Sequence, residues 1–83
     1  MFSLEWSERA FDQMQSIISH YPGAQEWIRA VLRLMTHLLE RTPEELGESR
    51  DRGNRFWCVD PLALSFHVDV AQRTVKIHSI KEM

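Results

Sequence analysis

Several scarcities narrow what this chain can be. Cys58 is the only cysteine among 83 residues, which excludes an internal disulfide and fits a reducing compartment. There are only three glycines and three prolines, and no repeat, linker or low-complexity segment interrupts the pattern. No apolar run is long enough to cross a bilayer. The opening residues, MFSLEWSERAF, lack the basic start and apolar stretch of an export signal. A cytoplasmic location and no membrane contact are therefore expected. Net charge is −2, too acidic for a protein that coats nucleic acid by charge alone.

That sum hides an asymmetry. Residues 1–48 contain four Arg and no Lys against eight Asp or Glu, giving −4, and residues 49–83 contain six Lys or Arg against four acids, giving +2. The excess of cations lies in the C-terminal part, where a local anion site is permitted. At this length the chain forms one domain, residues 1–83, with a core that supplies only about 3–5 kcal/mol. A partner that covers apolar surface can therefore contribute as much stability as the fold does.

Hydrophobic periodicity predicts the elements. FSLEW alternates Phe2, Leu4 and Trp6 with polar residues, as a strand with one buried face does. Ser7 is placed to cap a helix with Glu8 at its positive end, and Phe11, Met14, Ile17, Ile18 and Tyr21 form its expected apolar stripe. Pro22-Gly23 ends that helix. A second, from Ala24 to Arg41, carries an apolar set wide enough to face both a sheet and the first helix, and the short joint predicts an antiparallel helical hairpin. TPEELG offers a capping box, Thr42 with Glu45, for one further helical turn that stops at Gly47.

Beyond Gly47 the period changes to two. RFWCVD reads as a strand broken by Asp60-Pro61. ALSFHVDV alternates, with Leu64, Phe66, Val68 and Val70 inward. RTVKIHSI returns as its hairpin partner, setting Val68 opposite Val75, Phe66 opposite Ile77, His67 opposite Lys76 and Ser65 opposite His78. Ile80 then has the wrong parity, which predicts a bulge near Ser79. The order β-α-α-β-β-β implies an α+β fold: an antiparallel sheet with the helical hairpin packed on one face.

With TPEELGESRDRGNRFW, PLALSFHVDVAQRTVKIHSI and an amphipathic helical pair ahead of them, nearly the whole chain resembles the RelE/ParE superfamily of bacterial type II toxin–antitoxin toxins. The resemblance implies a small cytoplasmic toxin neutralised by a cognate antitoxin protein. It implies action either as a ribosome-dependent mRNA endonuclease, with ribosome and mRNA as partners, or as an inhibitor of DNA gyrase. A non-catalytic binding module on the same fold is the alternative, and no cofactor is expected.

In the nuclease branch, a ribose 2′-hydroxyl is activated and the charged phosphate stabilised by Arg, Lys, His, Glu and Tyr on the concave side of the sheet. The positions here that match are Glu48, Arg50, Arg52 and Arg55, with His78 and Lys81 near the C-terminus. The chain departs from the family at Pro61-Leu62-Ala63, where many members have an arginine, and at Lys81-Glu82-Met83, where many have a tyrosine. Arg50, Arg52 and Arg55 are the candidates for binding nucleic acid, since guanidinium groups grip phosphate oxygens bidentately. The plainer reading makes them solvated charges at a strand entrance, paired with Glu48 and Asp51. His67 and His78 share a face in the proposed register and join Arg55 and Lys81 as catalytic candidates. The plainer reading makes them ordinary surface histidines. No metal site is expected, because the close Cys or His spacing of zinc sites is absent.

Overall fold

The computed structural model describes residues 1–83 and has the expected α+β architecture, with two helices on one face of a five-stranded sheet. The strands are β1 (Ser3–Trp6), β2 (Glu48–Ser49), β3 (Asn54–Val59), β4 (Leu62–Asp69) and β5 (Thr74–Glu82). They lie side by side in the order β1-β5-β4-β3-β2. Helices α1 (Glu8–His20) and α2 (Gln25–Arg41) intervene between β1 and β2. One expectation is corrected: β1 runs parallel to β5, so the sheet is mixed rather than wholly antiparallel. The helical hairpin carries the chain from β1 at one edge of the sheet to β2 at the other.

Between β4 and β5 the register follows the predicted pairs, with Val68 opposite Val75, His67 opposite Lys76 and Phe66 opposite Ile77. It then shifts. Ser65 pairs with Ser79 rather than His78, which makes His78 the extra residue of a bulge, one position before the place the parity of Ile80 suggested. The shift returns Ile80 to the inner face opposite Leu64, where it is fully buried. The core comprises Leu62, Leu64, Phe66, Val68, Val75, Ile77 and Ile80 of the sheet, packed against Ala10 and Ile17 of α1 and Ile28, Leu32, Met35 and Leu39 of α2.

Ser7 caps α1 as expected, its hydroxyl accepting from the Ala10 amide at 3.0 Å. The buried stripe of α1 is rotated from the predicted one. Ala10 and Ile17 are buried, whereas Phe11 and Tyr21 remain 47% and 45% exposed. Pro43–Glu45 forms the extra turn, in 3₁₀ geometry and without a capping bond from Thr42. Val70 leaves the strand for the hairpin turn and is exposed.

Gly47 stops this turn at φ +65°, where a side chain is strained, and a Cβ there would come within 2.2 Å of the Phe56 carbonyl oxygen. Backbone cannot yield as a flexible side chain does. Gly47→Ala is therefore expected to lower unfolding free energy by about 2 kcal/mol or more, read as a drop in the urea midpoint with the slope unchanged.

Candidate functional site

The strand pairings divide the site candidates between two faces. Residues directly opposite one another in neighbouring strands share a face. Arg55 pairs with the buried Phe66, Trp57 with Leu64, and Val59 with Leu62, so all three odd-numbered residues of β3 look toward the helices. Asn54 pairs with His67, Phe56 with Ser65 and Cys58 with Ala63, and these lie on the helix-free face. Glu48 joins them by pairing with Phe56.

Arg55 is consequently separated from the histidines by the sheet itself. Its Nε donates to the Leu46 carbonyl at 2.7 Å and its Nη2 to the Gly47 carbonyl at 3.2 Å. Those bonds fasten the segment entering β2 onto β3. The side chain is already engaged with backbone, which is a structural task and a poor starting point for gripping phosphate.

His67 and His78 do meet on the helix-free face, with ring centroids 6.5 Å apart and planes tilted by 52°. Gly53 lies against His67: a Cβ at that position would come within 3.0 Å of His67 Nε2. Lys76 stands beside His67 on β5, and Glu5 of β1 stands beside Lys76, which continues one polar row across the sheet. The row was legible from the hairpin register, although Lys76 was not among the candidates. Lys81 occupies the same face opposite Ala63, three residues beyond His78 along β5.

Arg50 leans over Phe56 with its guanidinium carbon 5.6 Å from the ring centroid, while its Nη1 pairs with Glu48 Oε2 at 2.9 Å. Both charged partners are exposed, so the pair contributes little to stability and yields readily to a competing anion. The pairing of Arg50 with Glu48 matches the plainer expectation for this stretch. Arg52 is exposed at φ 58° in the tight turn Asp51–Gly53 between β2 and β3. No group of three His, Cys, Asp or Glu side chains is arranged to hold a metal ion.

Partial burial, then the neighbouring His67 and Lys76, hold the His78 imidazole below its ordinary value of 6.5. The unfolded chain therefore protonates this residue at a higher pH than the folded chain does. His78 accordingly favours the folded state above pH 6.5 and withdraws that support as pH falls through its folded-state value. Near neutral pH its ring is an unprotonated acceptor, as a general base must be.

The molecule's concavities lie elsewhere. The groove between the helices, about 390 Å³, is lined by Trp6, Met14, Ile18 and Leu32 with Arg29 and Arg33 at its rim. None of the concave regions includes His67, His78 or Phe56. A shallow polar face of this kind suits an extended polymer better than an enclosed small molecule.

Two outcomes follow from this geometry. Arg55→Ala is expected to cost about 1–2 kcal/mol in denaturant unfolding, because two backbone carbonyls lose their donors. In a proton NMR titration, His78 is expected to reach half-protonation below pH 6.5. His67→Gln should raise that midpoint without restoring it fully, since burial persists. A midpoint at or above the ordinary value, or one indifferent to His67, contradicts the electrostatic account.

No family model matches the sequence, and no curated protein matches it significantly. Solved structures do match its fold. A chain of the chromosomal ParDE TA system from P. aeruginosa is 21% identical with a TM-score of 0.77, covering 100% of this chain and 97% of that one. A chain of the toxin–antitoxin complex RelBE2 from Mycobacterium tuberculosis is 16% identical with a TM-score of 0.79, covering 99% and 98%. The likeness runs end to end, so the chain has the RelE/ParE fold.

Proposed function

We propose that this chain is the toxin component of a toxin–antitoxin pair and that it cleaves RNA on its helix-free face. Support for the first part comes from the fold, which it shares over full length with chains of ParDE and RelBE2 toxin–antitoxin systems. Exposed Phe11, Trp27 and Leu34 on the helices, with Tyr21 just past the end of α1, give an antitoxin apolar surface to cover. The observation that carries the second part is the His67–His78 pair, with Lys76 opposite His67 and Arg50 over Phe56 on the same open face.

In this reading neutral His78 takes the proton from a ribose 2′-hydroxyl. The resulting alkoxide attacks the adjacent phosphorus, closing a 2′,3′-cyclic phosphate as the bond from phosphorus to the 5′-oxygen breaks. His67 supplies a proton to that leaving oxygen. Lys76 and Arg50 neutralise the phosphate as charge builds on it, once Glu48 has been displaced from Arg50. The substrate is mRNA presented by the ribosome, which puts the action in the cytoplasm. Arg55 takes no part.

A second reading, a non-catalytic binding module that includes the gyrase-inhibiting kind, is favoured by one observation: the turn of Arg55 to the helix side removes a phosphate ligand from the open face. Primer extension on transcripts translated by purified ribosomes separates the two. The cleavage reading expects new 5′ ends with wild-type protein and about 10²–10⁴-fold fewer with His78→Gln, while Arg55→Ala retains cleavage wherever it remains folded. Transcripts left intact by wild-type protein that still binds its antitoxin would leave the binding module standing.

A further inference from the structure

Phe56 is out of place among its neighbours. Of the four phenylalanines, Phe2 and Phe66 are buried in the core and Phe11 belongs to α1, whereas Phe56 sits half-buried on the polar, helix-free face. Its cross-strand neighbours are Glu48 on one side and Ser65 on the other, with Ser79 beyond Ser65. The small serine side chains leave room over the sheet beside the ring. Arg50 extends toward the same ring from β2's end, its guanidinium carbon 5.6 Å from the centroid. Asn54 and His67 occupy the adjacent row, two residues from Phe56 and Ser65 respectively.

An aromatic ring on an open sheet face, next to a cation and bordered by hydroxyl and amide side chains, is the arrangement that holds an unstacked nucleobase. The ring supplies a π-face that every base can match. Guanidinium stacks on such planes as well as pairing with phosphate, so Arg50 can serve either surface. Glu48 at present occupies its Nη1 at 2.9 Å, in an exposed pair that a phosphate can replace.

We propose that Phe56 is the stacking platform for one nucleobase of a single-stranded RNA, with Arg50 turning from Glu48 to the neighbouring phosphate, so that Phe56 positions the strand across His67 and His78. The proposal rests on the RNA reading given above. It makes Phe56 a positioning residue, acting through the placement of the strand and touching no reacting atom.

The test is a binding measurement on strands that cannot be cut. A fluorescein-labelled 2′-O-methyl oligoribonucleotide is compared with a set of copies, each carrying one abasic position moved stepwise along the strand, by fluorescence anisotropy. Wild-type protein is expected to lose about tenfold in affinity at one abasic position, the effect of a single stacked base. Phe56→Leu should lose a similar factor on the intact strand and nothing more at that position, a coupling that a merely structural role does not produce. Phe56→Trp, which keeps an aromatic face, should bind as wild type does. The proposal is overturned if wild-type protein binds the whole set equally or not at all, or if Phe56→Leu weakens every member by the same factor. An intact coupling without transcript cleavage would sink the catalytic reading and leave the stacking site in place.

Discussion

The antiparallel pairing of β4 with β5 is the contact on which the rest of this molecule depends. These two strands supply most of the sheet's share of the core: Leu62, Leu64, Phe66 and Val68 from one, Val75, Ile77 and Ile80 from the other. Their register decides which side chains face the helices and which face water. A slip of one residue would turn His67 inward and Phe66 outward. Apolar pairs, Val68 with Val75 and Phe66 with Ile77, oppose such a slip because it would leave large apolar side chains exposed.

The bulge at His78 resolves a conflict between that register and the burial of Ile80, and α1 accommodates it. β1 pairs with β5 only as far as Trp6 opposite Ile77, so the outer edge of β5 beyond that point has no strand beside it. Residues at the start of α1 take the strand's place. The Ser7 amide donates to the Ile77 carbonyl, the Ser7 hydroxyl donates to the His78 carbonyl, and Gln13 Oε1 accepts from the Ile80 amide. One serine hydroxyl thus caps a helix and anchors the bulge that presents His78 beside His67. The candidate site and the helix start are coupled through uncharged hydrogen bonds, one from backbone to backbone and two between a side chain and backbone.

Much of this was legible in the sequence wherever a segment carried its own phase. The alternation of Leu64, Phe66 and Val68 assigns one face unambiguously, and the serine before Glu8 marks a helix start by its chemistry. In β3 the signal fails. Phe56, Trp57, Cys58 and Val59 are apolar or weakly polar at both parities, so periodicity cannot say which face Arg55 takes. Its orientation is fixed by pairing with β4, which is a non-local fact. The parallel union of β1 with β5 is non-local in the same sense. The position of the bulge was nearly legible, since the parity of Ile80 demanded one, but the choice between His78 and Ser79 depends on the hydrogen bonds that α1 provides. The apparent capping box at Thr42 misled for the opposite reason: its residues are local, but a 3₁₀ turn there forms without the side-chain bond.

Charge bears on how such a face can hold a polymer. The helix-free side gathers Arg50, Lys76 and Lys81, and the same side carries Glu5, Glu48 and Asp69, so the cations confer no net excess. Neutralising phosphates releases counterions only in proportion to the cations committed, and in this face one of the three is already paired with Glu48. Long-range attraction is therefore weak, as a net charge of −2 over the whole chain also requires. Contacts that do not depend on charge must then supply a large part of any affinity for a single strand, and Phe56 is the phenylalanine placed to provide one. A strand delivered by a larger assembly needs little attraction over distance. Under the proposed reading it needs a local hold and placed proton carriers, the roles proposed for Phe56 and for His67 and His78 in neighbouring rows of one sheet.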